Sequence, residues 1–205
     1  MLIKPFLSVS ESLNFYTVVS TADQLARVNE AGANTILLRN KNLFGSALYH
    51  EIERSVAYAQ QNSVQLLIND YWWEALDCGA YGVHLGQKDL DSVDLIKLQG
   101  AGLRLGVSFH TQEELNKTVL VQPSYIAYNI SQTSTGDTLS SQSMNKVKVY
   151  LEQVGTTPFI VTGVKDVESA IRIKSLGVNA VVFDVINDDN QLNSMIKAYQ
   201  QLWQC

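Results

Sequence analysis

Eight short runs of apolar and β-branched residues recur along the 205-residue chain at roughly 25-residue spacing, and a segment of helical character follows most of them. The runs are Phe15–Val19, Thr35–Leu38, Val64–Ile68, Gly82–Leu85, Arg104–Val107, Tyr125–Tyr128, Phe159–Val161 and Ala180–Phe183. Between them, Leu43–Gln61 and Val167–Leu176 carry apolar residues at helical spacing, and Asp166 stands where the second needs an N-cap. Gly32, Gly79, Gly102 and Gly177 each fall just before a strand, where a helix must stop. A chain that alternates strand and helix lays its strands parallel, because each helix carries the chain back to the start of the next strand. Eight such units predict an α/β protein, a (β/α)8 or TIM barrel, with residues 1–205 forming a single domain. A doubly wound open sheet is the alternative. It usually has fewer strands, and no glycine-rich dinucleotide fingerprint follows the first run.

Composition narrows the function classes. Hydrophobic residues make up 46% and charged residues 17%, a globular balance rather than a disordered one. The longest apolar stretches, such as Val64–Leu67 and Ala180–Phe183, are strand-sized and far short of the ~18 residues of a membrane helix. The N-terminal stretch has no charged segment before a long apolar run and is read as lacking a signal peptide, so a cytoplasmic location is expected. Two cysteines, Cys78 and Cys205, give no disulfide framework and no metal-ligand spacing. A formal charge of -5 and the lack of basic patches argue against nucleic acid as a partner. Small phosphorylated molecules remain compatible, provided that the cations gather in one pocket. Oligomeric state stays open, with a homodimer among the expectations.

In such a barrel the residues at the C-terminal ends of the strands build the active site. After the second strand come Arg39, Asn40 and Lys41, two cations suited to a polyanion. After the third come Asn69 and Asp70, and after the fourth, beyond His84 and Gln87, comes Asp89. Two carboxylates on neighbouring strands, with positions left for water and phosphate oxygens, suit Mg2+; helix capping is their competing role. After the fifth strand Ser108 can donate to phosphate or cap a helix, and His110 can move protons or lie on the surface. Tyr71, Trp72 and Trp73 read as packing residues, His84 as strand-end architecture, His50 as helix surface and Cys78 as structural.

The stretch Ile68–Leu90 with Gly102–His110 resembles the corresponding region of thiamine phosphate synthases: an asparagine-aspartate pair, then GVHLGQ-x-D, then GVS-x-H. Leu37–Lys41 (LLRNK) and the TST at Thr133–Thr135 extend the resemblance over most of the chain. It implies a magnesium-dependent transferase of thiamine biosynthesis that joins hydroxymethylpyrimidine diphosphate to a thiazole phosphate carboxylate, releasing diphosphate and CO2. By that resemblance Arg39, Asn40, Lys41, Asn69 and Ser108 would serve the pyrimidine diphosphate, with Arg39, Lys41 and Ser108 taking part in catalysis. Asp70 and Asp89 would hold Mg2+. Thr133, Ser134, Thr135 and Gly163 would lie on the thiazole side.

The chain departs from that pattern mainly in its second half. Leu37 stands where the family has glutamine, and Gly136-Asp137 where a lysine is expected. Gly163-Val164, followed by Lys165, replaces a glycine pair, and Asp184-Val185 replaces a valine-serine. A carboxylate where a phosphate docks is repulsive by roughly 1 to 4 kcal/mol at ~4 Å. Gly136, Val164, Asp184 and Val185 therefore leave two alternatives open: a non-catalytic or regulatory ligand-binding homologue, and a thiazole tautomerase-like enzyme.

Overall fold

The computed structural model describes residues 4–9, 13, 16–130, 140–183, 193 and 197–198. Its elements run β1 (Tyr16–Val19), α1 (Ala22–Glu30), β2 (Thr35–Leu38), α2 (Gly45–Gln61), β3 (Gln65–Asn69), α3 (Trp72–Asp77), β4 (Gly82–Leu85), α4 (Gln87–Leu90), α5 (Leu95–Gly100), β5 (Arg104–Phe109), α6 (Gln112–Val121), β6 (Tyr125–Asn129), α7 (Ser141–Gln153), β7 (Phe159–Val164), α8 (Val167–Lys174) and β8 (Ala180–Phe183). Every strand pairs in parallel with the next in chain order, from β1 to β8. β8 returns beside β1, so the sheet is a nearly closed barrel.

The local reasons are those the sequence carries. Gly32, Gly79, Gly102 and Gly177 sit at φ of 103°, 70°, 76° and 93°, the left-handed backbone that ends a helix at little cost only for glycine. Asp166 caps α8, its carboxylate accepting from Ser169 N–H at 2.7 Å. Thr111 caps α6 in a capping box with Glu114.

The period of two then sorts each strand between two cores. On β4, Val83 and Leu85 join the layer beneath the helices. Gly82 and His84 face the lumen instead, against an interior cluster that includes Tyr16, Leu37, Leu67 and Tyr125. The lumen is packed tightly enough to dictate its glycines. A Cβ on Gly106 would overlap the Tyr125 ring, and one on Gly82 would come within 2.5 Å of the Arg104 carbonyl oxygen. β7 carries a register irregularity between Thr162 and Val164, with Gly163 at φ 78°.

Candidate active site

The strands end, at their C-terminal side, around an open cavity of about 400 Å³. Its lower wall is buried and mostly apolar: Tyr16, Val18, Leu37 and Val182. Its rim is polar, with Arg39, Lys41, Asn69, Asp70, Ser108, His110, Asn129 and Thr162. Phe183 and Gly163 close the side formed by β7 and β8.

Asp70 is held in an unusual way. Its backbone has φ 66°, rare for a residue with a side chain, and Tyr71 N–H bonds the Asn69 carbonyl across it at 2.8 Å. That is a γ-turn of the strained hand, followed by one of the relaxed hand at Tyr71 (φ −83°, ψ 66°), where Trp72 N–H meets the Asp70 carbonyl at 2.9 Å. Strain of this kind costs about 1–3 kcal/mol and concentrates at functional sites. Asp70 N–H is tied to the His84 carbonyl of the neighbouring strand at 3.0 Å, which fixes the turn in place.

The Asp89 carboxylate comes next to it. Asp89 lies in the first turn of α4 and stands over Gly86, just behind the cavity wall. Burial pushes the Asp70 carboxyl above the usual carboxylate range, and Asp89, within hydrogen-bonding reach, adds to the rise; Lys41 and Arg39 pull it back down. Two crowded acids facing two cations are a donor set that suits a hard divalent cation, because that charge relieves the repulsion. Helix capping does not explain the aspartates. Tyr71 is the N-cap residue of α3 and Gly86 that of α4, and neither helix has a side-chain cap. Among the described residues, no group of three or more His, Cys, Asp or Glu converges on a common point, so the pair would rely on ligand oxygens and water to complete a metal's shell.

Ser108 does not cap α6 either, since Thr111 does. Gln87 sets its position: the amide donates to the Ser108 carbonyl at 2.8 Å and to Thr118 Oγ1 on α6 at 3.0 Å. The sequence offered no role for Gln87 beyond its place in GVHLGQ. Asn40 is not in the cavity wall. Its amide donates to the Ser20 carbonyl at 2.8 Å and its oxygen accepts from the N–H groups of Asn42 and Leu43 at 2.9 Å each, so it braces the loop that carries Arg39 and Lys41.

Beneath the rim, three buried side chains form a chain across the lumen. Tyr16 and Tyr125 share a hydrogen bond at 3.0 Å, and the Tyr125 hydroxyl meets His84 Nδ1 at 2.8 Å, the rings of His84 and Tyr125 stacking at 5.6 Å. Burial drives both tyrosine hydroxyls well above their ordinary values. Burial, with help from Arg39, lowers His84 to about 4. His84 is therefore a neutral member of the cavity wall, beyond the strand-end architecture read from sequence.

Other expectations land as follows. Tyr71, Trp72 and Cys78 pack against the core, whereas Trp73 is exposed under the Lys97 ammonium at 4.0 Å. His50 lies on the surface of α2 beside Glu53. Leu37, where the family has glutamine, does reach the cavity. Val164 does not: its side chain is 2% exposed and packs in the core, so the lost glycine puts no bulk in the cavity. Thr133, Ser134, Thr135, Gly136, Asp137, Asp184 and Val185 lie outside the described residues.

The family described as thiamine monophosphate synthase matches residues 12–184. A thiamine-phosphate synthase of Neisseria meningitidis serogroup A is 44% identical over 202 residues, covering 97% of this chain and 98% of that protein. The enzyme of the same name from Serratia proteamaculans is 37% identical, covering 86% and 84%. Among solved structures, thiamine phosphate pyrophosphorylase from Pyrococcus furiosus superimposes with a TM-score of 0.71 at 16% identity, over 92% of this chain and 96% of that one. With the matching motifs standing around one cavity, the chain belongs to the thiamine monophosphate synthase family.

Proposed function

We propose that this protein is a transferase that condenses hydroxymethylpyrimidine diphosphate with thiazole phosphate carboxylate, giving thiamine phosphate, diphosphate and CO2. One observation carries the reading: at the rim of a single cavity at the strand ends, Asp70 faces Arg39 and Lys41 and is backed by the Asp89 carboxylate within hydrogen-bonding reach. The curated relatives named thiamine-phosphate synthase support it.

The reaction breaks a bond between a benzylic-type carbon and a diphosphate oxygen, so negative charge grows on the leaving group. Arg39 offers a planar fork to those oxygens and Lys41 a mobile point charge. Ser108, held by Gln87, donates a hydroxyl, and Asn69 lies at the same rim. Asp70 and Asp89 would hold Mg2+, which would supply positive charge to neutralise the diphosphate. The electron-rich pyrimidine stabilises the cation left behind. Attack by the thiazole nitrogen then requires alignment more than acid–base chemistry. Thr162, Gly163 and Phe183 form the β7–β8 wall of the cavity, where the thiazole would sit; by the family resemblance Thr133–Thr135 would serve the same substrate. In this reading the substrates are small molecules, and the protein works in the cytoplasm as a single domain over residues 1–205. No described helix is long and apolar enough to cross a membrane. A homodimer is among the assemblies expected, to be read by light scattering.

The test is turnover of both substrates with Mg2+ by wild type, Asp70→Asn and Asp89→Asn. Thiamine phosphate should form with the wild type, and each variant should lose on the order of 10²-fold or more, as when one group stabilising transition-state charge is removed. Wild-type protein that makes no thiamine phosphate, or variants as fast as the wild type, would refute the reading.

A further inference from the structure

We infer that His84 positions the substrate: Tyr125, itself bonded to Tyr16, fixes the imidazole so that Nε2 hydrogen-bonds the edge of a heteroaromatic ring seated beneath the diphosphate. This rests on the proposed function, since it takes the cavity to receive a ring-bearing diphosphate.

His84 is only 8% exposed, yet its ring is part of the cavity wall. Nδ1 is engaged by the Tyr125 hydroxyl at 2.8 Å. Nε2 has no partner among the described residues, and it is not among the side-chain atoms sealed away from the surface without one. A buried polar ring, clamped on one side and open to a cavity on the other, is an arrangement for meeting a ligand.

Its neighbours make the assignment specific. Tyr16, Val18, Leu37 and Val182 line the same buried wall, and neither valine nor leucine can bond the edge of a ring. Flat apolar faces packed by aliphatic side chains, with one nitrogen at the edge, suit a small aromatic heterocycle. The polar rim takes the anionic end, so the ring points down towards His84.

The clamp is built at some cost. Gly106 has no side chain, and the Tyr125 ring occupies the space that one would fill. The Tyr125 ring stacks on His84 at 5.6 Å and meets the Tyr16 ring edge-on at 5.8 Å. Either tautomer of His84 works: if Tyr125 donates to Nδ1, Nε2 carries the proton, and if Tyr125 accepts, Nε2 offers a lone pair. In both cases the bond at Nδ1 sets the character of Nε2 and the plane of the ring.

Calorimetry with Mg2+ tests this, using hydroxymethylpyrimidine diphosphate and inorganic diphosphate as separate titrants. Asparagine keeps a polar atom where Nδ1 stands and loses the one at Nε2; glutamine does the reverse. His84→Asn should weaken the pyrimidine compound about 10-fold, the loss of one hydrogen bond, and leave inorganic diphosphate unchanged. His84→Gln should recover most of that affinity, and Tyr125→Phe should lose a few-fold for the pyrimidine compound alone. The inference is overturned if His84→Asn binds the pyrimidine compound as wild type does, if asparagine rescues and glutamine does not, or if both titrants weaken together. A wild type that binds inorganic diphosphate but not the pyrimidine compound would instead bring down the proposed function, and the inference with it.

Discussion

His84 should make the stability of the substrate-free protein depend on pH between about 6.5 and 4, and a single substitution isolates that dependence. In the unfolded chain its imidazole titrates near 6.5, and in the fold burial lowers it to about 4. Between those values the unfolded state binds a proton that the native state does not, so stability rises with pH. His84 therefore costs nothing above about pH 6.5, and its penalty grows as pH falls, reaching its full size near the folded value. The distance from 6.5 to about 4, at roughly 1.4 kcal/mol for each pH unit, caps the penalty at about 3.5 kcal/mol. The measurement is urea unfolding of wild type and His84→Gln from about pH 7.5 down to about 4.5. Carboxylates titrate equally in both proteins and cancel in the difference. The gap between the two stabilities should shift by about 2–3 kcal/mol against the wild type as pH falls. Curves that stay parallel across this window would refute the argument, because they would mean that His84 titrates alike in the native and unfolded states, as a solvated imidazole does.

Two further outcomes follow from the packing. Gly106→Ala places a methyl group where the Tyr125 ring lies; it should cost about 1–3 kcal/mol in urea unfolding, and Tyr125→Ala in the same chain should recover part of the overlap. Gln87→Ala removes both bonds that join Ser108 to Thr118; it should cost about 1–3 kcal/mol and lower turnover more than it changes Mg2+-dependent diphosphate binding, with unaltered kinetics counting against Gln87 as the brace of Ser108.

Much of the fold was legible because a barrel strand repeats one demand. It must be short, apolar on both faces and closed off by a turn residue. Thr35–Leu38, Gly82–Leu85 and Ala180–Phe183 satisfy this within their own residues and match the observed strands. β5 and β7 run further than their apolar runs suggest, to Phe109 and Val164. Ser108 and Thr162 read as loop by polarity, yet their backbones stay paired with Ala127 and Asn129. Polarity there reports the cavity and not the end of the strand. The same effect made Arg39, Lys41, Asn69, Asp70 and Ser108 readable as site candidates, since a polar residue just past a buried strand has few other reasons to be there. The link between Tyr16 and Tyr125 had no such signal. They are 109 residues apart, and each looks like one more aromatic in an apolar run. Only His84 hinted at it. Alternation puts it inside with Gly82, where a polar ring requires a partner that the sequence does not name.

Asn40 and Val164 show why residue identity alone misjudges a site. Asn40 stands between two cations and looks like a ligand group, but its oxygen accepts two bonds and its amide is tied to Ser20, so the side chain is committed to the loop. Its contribution is to hold the loop against β1, without which Arg39 and Lys41 would have to be ordered by the substrate at an entropic cost. Val164 looks like an obstruction where the family has glycine, but the irregularity at Thr162 and Val164, with Gly163 at φ 78°, turns the valine into the core and leaves Gly163 at the cavity. Close backbone approach needs only the glycine that faces the ligand. Among the described positions, the departure that alters what the cavity can bind is Leu37, which makes its lower wall more apolar and leaves His84 the more consequential polar contact there.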